Sequence, residues 1–464
     1  MVPTVQQART SLLIAAAGVV VATALLLSPR RDRIVDCDMP SPTAGDVTMT
    51  ARLTSSKILP GAQTQDVAVT ITANAPRSQT RPPLSLAVVI DRSGSMNGVP
   101  MRNAKAAAAE LVGQLAEADA FTIVTFSSGD EVIAPIARAT AANKAAARAA
   151  IDRIWDDGGT CTSCGLLSGA SELGRSPIVG GLRRIVLISD GQANVGVWHR
   201  DELAQLASKT ASNGVSISSV GVGLDFDEVT MTKLADVGRG TYYFVEDTAN
   251  LGAMFQRELG GLTETIASDL HLVVDVRGPD LSQAGHGDSV EIEEAYGYPM
   301  TREGTQVIIP VADLRAGETR KVVLRVRLAA PHTGSISIAT LRLGYRRVED
   351  GAARTVAAQA VAEVVTDGNE VAASVDHDAT RASMEAQSAR ALEEATVTYE
   401  KQGYRAAQQV LQRHMDSVRA NKVLDPASAQ ELERAVGDVM QDFAAAPPAK
   451  AVKATRAKAY ELVH

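Results

Sequence analysis

Leu84-Ser85-Leu86-Ala87-Val88-Val89-Ile90-Asp91-Arg92-Ser93-Gly94-Ser95-Met96 is the stretch on which the reading of the chain turns. From 84 to 90 only Ser85 interrupts an apolar run, and no period-two alternation is present, so both faces of this strand are expected to be buried. It ends on a carboxylate, and a short polar loop with a glycine follows. Strands of this kind belong to parallel sheets covered by helices on both sides, where ligands bind outside the carboxyl ends of the strands.

The residues that follow keep this texture. Segments 104–116, 143–154, 201–213 and 228–237 read as helices, and 121–126, 185–188, 215–222 and 241–245 as strands. Residues 84–260 are therefore expected to form a doubly wound, mostly parallel α/β domain. The flanks differ. Val47, Met49, Ala51 and Leu53, then Val67, Val69 and Ile71, alternate on either side of the turn Pro60-Gly61, as strands with one buried face do. After a helical exit at 251–267 the same period returns in Leu272, Val274 and Val276, in Val322, Leu324, Val326 and Leu328, and in Ile336, Ile338 and Leu341. Residues 268–367 thus predict a β-sandwich. The strands within 46–80 are too few to stand alone and are expected to complete it, which makes the α/β domain an insertion into the sandwich. Residues 376–446 predict a helical region. Asp378 is placed to cap a helix carrying Met384, Leu392, Ala395 and Tyr399, Gly403 to break it, and Asp425-Pro426 to open a third helix. The stretch 447–464 is expected as a tail, frayed or held by a partner.

Composition narrows the function classes. With 464 residues, 45% of them hydrophobic and 22% charged, the chain has ordinary globular proportions. A net charge of -8 and an aromatic content of only 3% disfavour nucleic acid, whose phosphates select basic surfaces and whose single strands stack on aromatic platforms. Three cysteines, Cys37, Cys161 and Cys164, and scattered histidines offer no thiolate or imidazole metal centre, so any metal would have oxygen ligands. Residues 1–28 read as a targeting segment. The apolar run 12–27 lies between Arg9 and Arg30, Arg31 and Arg33. It suits a membrane anchor or a signal peptide with Ala22-Thr23-Ala24 as its cleavage site. Either reading expects a protein that is membrane-anchored or exported to the cell envelope or beyond, with orientation left open.

Asp91, Ser93 and Ser95 stand at alternate positions of a glycine-containing loop, where side chains can converge on one ion. A hard cation such as Mg²⁺ prefers oxygen and needs few carboxylates. Two further landmarks stand at other predicted strand ends or helix starts: Gly158-Gly159-Thr160 and Ser189-Asp190-Gly191. This order within an α/β pattern resembles the metal-ion-dependent adhesion site of von Willebrand factor type A domains. Phe126-Ser127-Ser128, Asp190 to Gly196, and Gly221-Val222-Gly223 extend the likeness over 84–253. The resemblance implies that Ser93 and Ser95 bind the ion directly, Mg²⁺ or Mn²⁺ or Ca²⁺ in its place, and that Thr160 does so in the ligand-bound state. It implies that Asp91 and Asp190 act mostly through water, leaving the ion open to a carboxylate from a protein partner. The flanking β-domain, with Ala312 to Glu318 before a long strand, is similar to exported bacterial type A proteins and to inter-alpha-trypsin inhibitor heavy chains. Cys161-Thr162-Ser163-Cys164 departs from the family pattern. Residues three apart on a regular helix have Cβ atoms roughly 5–6 Å apart, whereas a relaxed disulfide wants about 3.8 Å. An oxidised staple, favoured here over free buried thiols, is therefore expected in a loop.

No Gly-x-Ser-x-Gly, phosphate-binding loop or dinucleotide fingerprint occurs at the places that would give it meaning. A binding role without catalysis is expected: an adhesion module that captures an acidic group of a protein. Two alternatives stay open, an intracellular assembly factor working with an ATPase and a hydrolase without a recognisable motif.

Overall fold

Alternation, and its absence, sorts the strands into two kinds of sheet. The computed structural model describes residues 46–74, 82–179, 181–190, 192–222, 226–245, 255, 259–260, 264–276 and 289–463. The targeting segment at 1–28, Cys37, Gly191, Gly223 and most of the helical exit lie outside the described residues. Strands β1 (Val47–Leu53), β2 (Lys57–Ile58) and β3 (Gly61–Ala73) come first. Six strands then make one sheet: β4 (Leu84–Asp91), β5 (Ala120–Phe126), β6 (Asp130–Arg138), β7 (Leu182–Ser189), β8 (Ser216–Val222) and β9 (Arg239–Val245). Their order is β6-β5-β4-β7-β8-β9. All pairs are parallel except β5 with β6, which is antiparallel.

Every residue of β4 and β5 is buried, because helices cover both faces. Leu86, Val88 and Ile90 pack with α1 (Val99–Gln114) and α2 (Ala141–Asp152). Ala87 and Val89 pack with α3 (Thr162–Gly174), α4 (Arg200–Ser212) and α5 (Glu228–Val237). Full burial of each large aliphatic side chain contributes roughly 1.5–3 kcal/mol, which is what an unbroken apolar strand gains only in a double-faced sheet.

The alternating strands form the sandwich. β10 (Thr265–Asp275), β11 (Ser289–Ala295), β12 (Thr301–Glu303), β13 (Gln306–Val311), β14 (Leu314–Arg315), β15 (Thr319–Ala330), β16 (Gly334–Arg347) and β17 (Ala353–Val364) complete it. One sheet has the order β1-β3-β15-β11; the other runs β12-β13-β10-β16-β17-β2, with β14 also on β10. Val69, Ile71, Leu324 and Val326 of the first share a core with Leu272, Val274, Leu341 and Leu343 of the second. β3 pairs with β15 along its whole length, from Gly61 opposite Ala330 to Thr72 opposite Thr319. The early strands therefore complete the later sheet, and the α/β domain is inserted between them. The sandwich meets the amino-terminal edge of the inserted sheet, where nearly buried Arg184 of β7 pairs with Asp313 at 2.8 Å and Arg239 of β9 pairs with Asp269.

Five helices follow: α6 (Gly368–Ala373), α7 (His377–Gln402), α8 (Tyr404–Ala420), α9 (Pro426–Ala445) and α10 (Pro448–Val463). Gly403, at φ 82°, ends α7, and Asp425 caps α9 through the Ser428 N–H. The cap of α7 is Asp376, which accepts from the Ala379 N–H, and Asp378 lies in the first turn. Both residues satisfy the local signal; Arg52, 3.0 Å from the Asp376 carboxylate, favours the earlier one. The 447–464 stretch departs from the expected tail. α10 is a helix whose Ala451 and Ala459 share a core with Leu392 and Ala395 of α7. Its Tyr460 stands edge-on to Tyr242 of β9, and Lys453 places its ammonium 4.0 Å from the centre of the Phe226 ring. Alanine allows close helix approach, and a lysine stem can be buried while its charge meets an aromatic face; composition alone hides both. Among the described residues no helix is long and apolar enough to cross a membrane.

Candidate metal centre

Three loops meet at the carboxyl edge of the parallel sheet, where β4 lies between β5 and β7. β4 delivers Asp91, buried at its last position, and the chain then turns so that the Ser93 N–H donates to Asp91 Oδ1 at 2.8 Å. The Ser93 and Ser95 hydroxyls are 3.1 Å apart. The second loop docks on the first through its backbone: the Gly94 N–H donates to the Gly158 carbonyl at 3.1 Å and the Asp157 N–H to the Arg92 carbonyl at 2.8 Å. Gly158 adopts φ +79°, and a Cβ on Gly159 would stand 2.7 Å from a Val195 methyl, so this approach needs glycine at both places. Thr160, buried, follows at once. The third loop leaves β7 with Ser189 and Asp190, both buried. Ser189 donates its hydroxyl proton to Asp91 Oδ2 at 2.6 Å. Asn194 accepts from the Thr160 N–H at 2.8 Å and returns its own N–H to the Thr160 carbonyl at 3.0 Å.

The electrostatics follow from burial. Asp91 is pushed up to about 7, first by loss of solvent and then by the neighbouring Asp190 charge; the hydrogen bonds from Ser189 and Ser93 oppose the rise. Two buried carboxylates facing one another destabilise the ionised pair unless positive charge joins them. Among the described residues no cluster of three or more His, Cys, Asp or Glu side chains is placed to hold a metal. A cation here would depend on hydroxyl oxygens as well as carboxylates. Two carboxylates with adjacent hydroxyls form an all-oxygen donor set, which fits a hard divalent cation.

Asp91, Ser93, Ser95, Thr160 and Asp190 thus lie on three loops that hydrogen bonds hold together. Sequence reading missed the supporting roles of Ser189 and Asn194. Both stand inside the motifs quoted above, yet their roles depend on which neighbour each side chain meets across the loops. Cys161 and Cys164 are disulfide-bonded, with Cα atoms 5.3 Å apart. The expectation that such a bond needs a loop is corrected. Cys164 lies in the first turn of α3, and Cys161 is the residue before it, at φ -94° and ψ 74°. One non-helical residue suffices to bring the two Cβ atoms within bonding reach, so the staple spans the loop–helix junction.

A doubly wound sheet that gathers hydroxyl and carboxylate oxygens at its topological switch point defines a class of ligand-binding α/β domain. Residues 85–257 match the model of the von Willebrand factor type A domain, and this part of the chain is such a domain. YfbK of Escherichia coli (strain K12) is 29% identical over 211 residues, which are 45% of this chain and 36% of that protein. Inter-alpha-trypsin inhibitor heavy chain H2 of Sus scrofa is 29% identical over 185 residues, 38% of this chain and 20% of the relative. The chain therefore spans about a third or less of the length of these relatives. The solved structure of a von Willebrand factor type A protein from Catenulispora acidiphila superposes with a TM-score of 0.65 at 18% identity, over 86% of this chain and 89% of that one. That likeness extends the shared fold beyond the inserted domain.

Proposed function

We propose that this protein is a metal-dependent binding module, exported or membrane-anchored through residues 1–28, that grips an acidic side chain of a protein partner. Ser93 and Ser95 would hold one divalent cation, Mg²⁺ or Mn²⁺ or Ca²⁺, with Thr160 joining them when a ligand is bound and Asp91 and Asp190 supporting it from behind. The bound ion supplies an electrophilic centre for a carboxylate. The chain's own residues do the rest: Ser189 and the Ser93 N–H orient Asp91, Asn194 fixes the Thr160 backbone, and the glycines of the second loop let it close on the first. The observation that carries the reading is the hydroxyl pair of Ser93 and Ser95, 3.1 Å apart, beside a buried carboxylate that faces another. Binding of this kind involves no bond-making step, and no catalytic residue is assigned.

Asp91→Ala is expected to abolish cation-dependent partner capture and leave the fold intact, because the site lies at strand ends. Thr160→Ala is expected to weaken capture more than Mg²⁺ binding. Calorimetric titration of Mg²⁺ beside capture in magnesium and in chelator separates the two effects, and equal capture in both conditions would defeat the reading. Localisation has its own test. Removal of residues 1–27 should leave a soluble, folded remainder, and its recovery solely in salt-washed membranes would overturn the anchoring role.

A further inference from the structure

The chain has two tryptophans, and both stand exposed at the carboxyl edge of the parallel sheet. Trp155 is 66% exposed and Trp198 is 52% exposed. Trp155 belongs to the loop that carries Gly158 and Thr160, two residues before Asp157, whose N–H is held by the Arg92 carbonyl. The Arg92 guanidinium lies 5.7 Å from the centre of its ring. Trp198 belongs to the loop after β7, three residues beyond Val195, whose N–H is held by the Thr160 carbonyl. Its ring stacks on His199 at 3.9 Å between centroids. Two aliphatic side chains are also exposed at this edge of the sheet. Val99, which opens α1, is 50% exposed, and Val229, in the first turn of α5, is 37% exposed. The strand order places Val99 and Trp155 towards β4 and β5, and Trp198 and Val229 towards β7 and β8. The candidate metal centre lies between the two groups.

A chain with an aromatic content of only 3% gains nothing in its core from these rings. Large exposed aromatics held against a neighbour are the anchors that binding surfaces use, because little side-chain freedom is lost when a partner covers them. We infer that the two groups form the walls of a peptide-binding site centred on the metal position. The peptide is an extended segment with one carboxylate flanked on both sides by apolar or aromatic side chains. This rests on the metal reading above and adds the sequence class that the site would select. Charge complementarity chooses the centre: a cation calls for a carboxylate. The two valines choose a peptide over a sugar. Val99 and Val229 add aliphatic surface on which apolar side chains of a peptide gain burial.

A library of random dodecapeptides displayed on phage, panned on the full chain in magnesium and in chelator, tests the proposal. Magnesium-dependent winners should carry Asp or Glu with apolar residues on each side. A synthetic winner should bind Trp155→Ala and Trp198→Ala roughly tenfold more weakly than wild type. Mg²⁺ affinity measured without peptide should be unchanged in both, and Trp155→Phe and Trp198→Phe should restore most of the binding. With Trp155→Phe in place, Trp198 is the remaining tryptophan, so a peptide-induced emission shift there reports the far wall separately. Magnesium-dependent winners with polar flanks, or equal binding by both alanine variants, would overturn the inference and leave the metal reading standing. Failure to enrich any magnesium-dependent peptide would overturn it too, and only absence of Mg²⁺ binding by calorimetry would remove the metal reading with it. Capture of a glycan array that depends on the two tryptophans, in place of peptide, also decides against it.

Discussion

Asp91 is buried beside a second carboxylate, and together these hold its proton on up to about pH 7. Its ordinary value is 3.8, so between about pH 4 and pH 7 the folded chain keeps a proton that the unfolded chain has released. The stability this proton contributes is full below about pH 4 and is lost as pH rises through about 7. For one group the effect is on the order of 4 kcal/mol. In chelator the melting temperature is therefore expected to fall across that window, on top of whatever other groups contribute. Asp91→Asn, which keeps the shape and drops the charge, should flatten the fall. Added Mg²⁺ should stabilise wild type more at about pH 7.5 than at about pH 5, because a cation favours the ionised carboxylate. Differential scanning calorimetry at the two pH values reads all three effects, and a wild-type slope in chelated Asp91→Asn would refute the assignment. That Asp91, Ser93, Ser95, Thr160 and Asp190 would stand on loops at one edge of the sheet was legible, because their spacing repeats a known pattern at strand ends. Ser189 and Asn194 were not legible, since a serine at a strand end and an asparagine in a loop look alike whether they meet solvent or a buried partner.

At the scale of elements, the Cys161–Cys164 bond joins the last non-helical residue of the Gly158–Thr160 loop to the first turn of α3. The loop it closes is short, so its chain-entropy contribution is only about 2 kcal/mol. Its position matters more, because Cys161 follows Thr160 directly and its N–H is held by the Ser127 carbonyl at 2.7 Å. Reduction by a dithiol, or the double change of Cys161 and Cys164 to serine, should lower the melting temperature by a few degrees and weaken Mg²⁺ binding severalfold. Circular dichroism and calorimetry on the reduced chain check both, and unchanged Mg²⁺ affinity would show that Thr160 needs no such restraint. Other elements differ in how plainly the sequence announces them. β4 and β5 are apolar throughout, and no helix-length pattern competes for them. β6 escaped notice: as an edge strand it has no fully buried residue, and Pro135 interrupts it, so no periodicity marks it despite the strand propensity of Val132, Ile133 and Ile136. The cap of α7 was misplaced by two residues for want of contacts that join positions far apart in the chain, Arg52 with Asp376 and the Asp376 N–H with the Thr54 carbonyl.

On the scale of the whole molecule, what the sequence carried was the plan: an α/β domain between two parts of one sandwich. That was visible because the period of the apolar pattern changes at each junction. The place of α10 was invisible, since it depends on Tyr242, Phe226 and α7 being brought to one spot by folding. The pairing of β1 with β3 carries a mechanical consequence. Val47 lies opposite Ala73, and the Asn74 N–H donates to the Asp46 carbonyl at 2.7 Å, so the chain enters β1 beside the point where it leaves β3. If the molecule is tethered at its amino-terminal segment while a partner pulls at the metal loops, tension drags Asp46 and Asn74 apart. The rungs between β1 and β3 then carry load one after another, like a zipper. β4 meets the same tension differently, because it is gripped along its length by β5 on one side and β7 on the other, and both ladders are sheared at once. The hairpin is the fuse and the parallel sheet is the cable. Optical-tweezer extension between the amino-terminal end and the metal loops should show an early, low-force lengthening of roughly 5 nm as the chain peels free up to Gly61, well before the inserted domain gives way. Rupture of the inserted domain as the first event would show that load travels by another path.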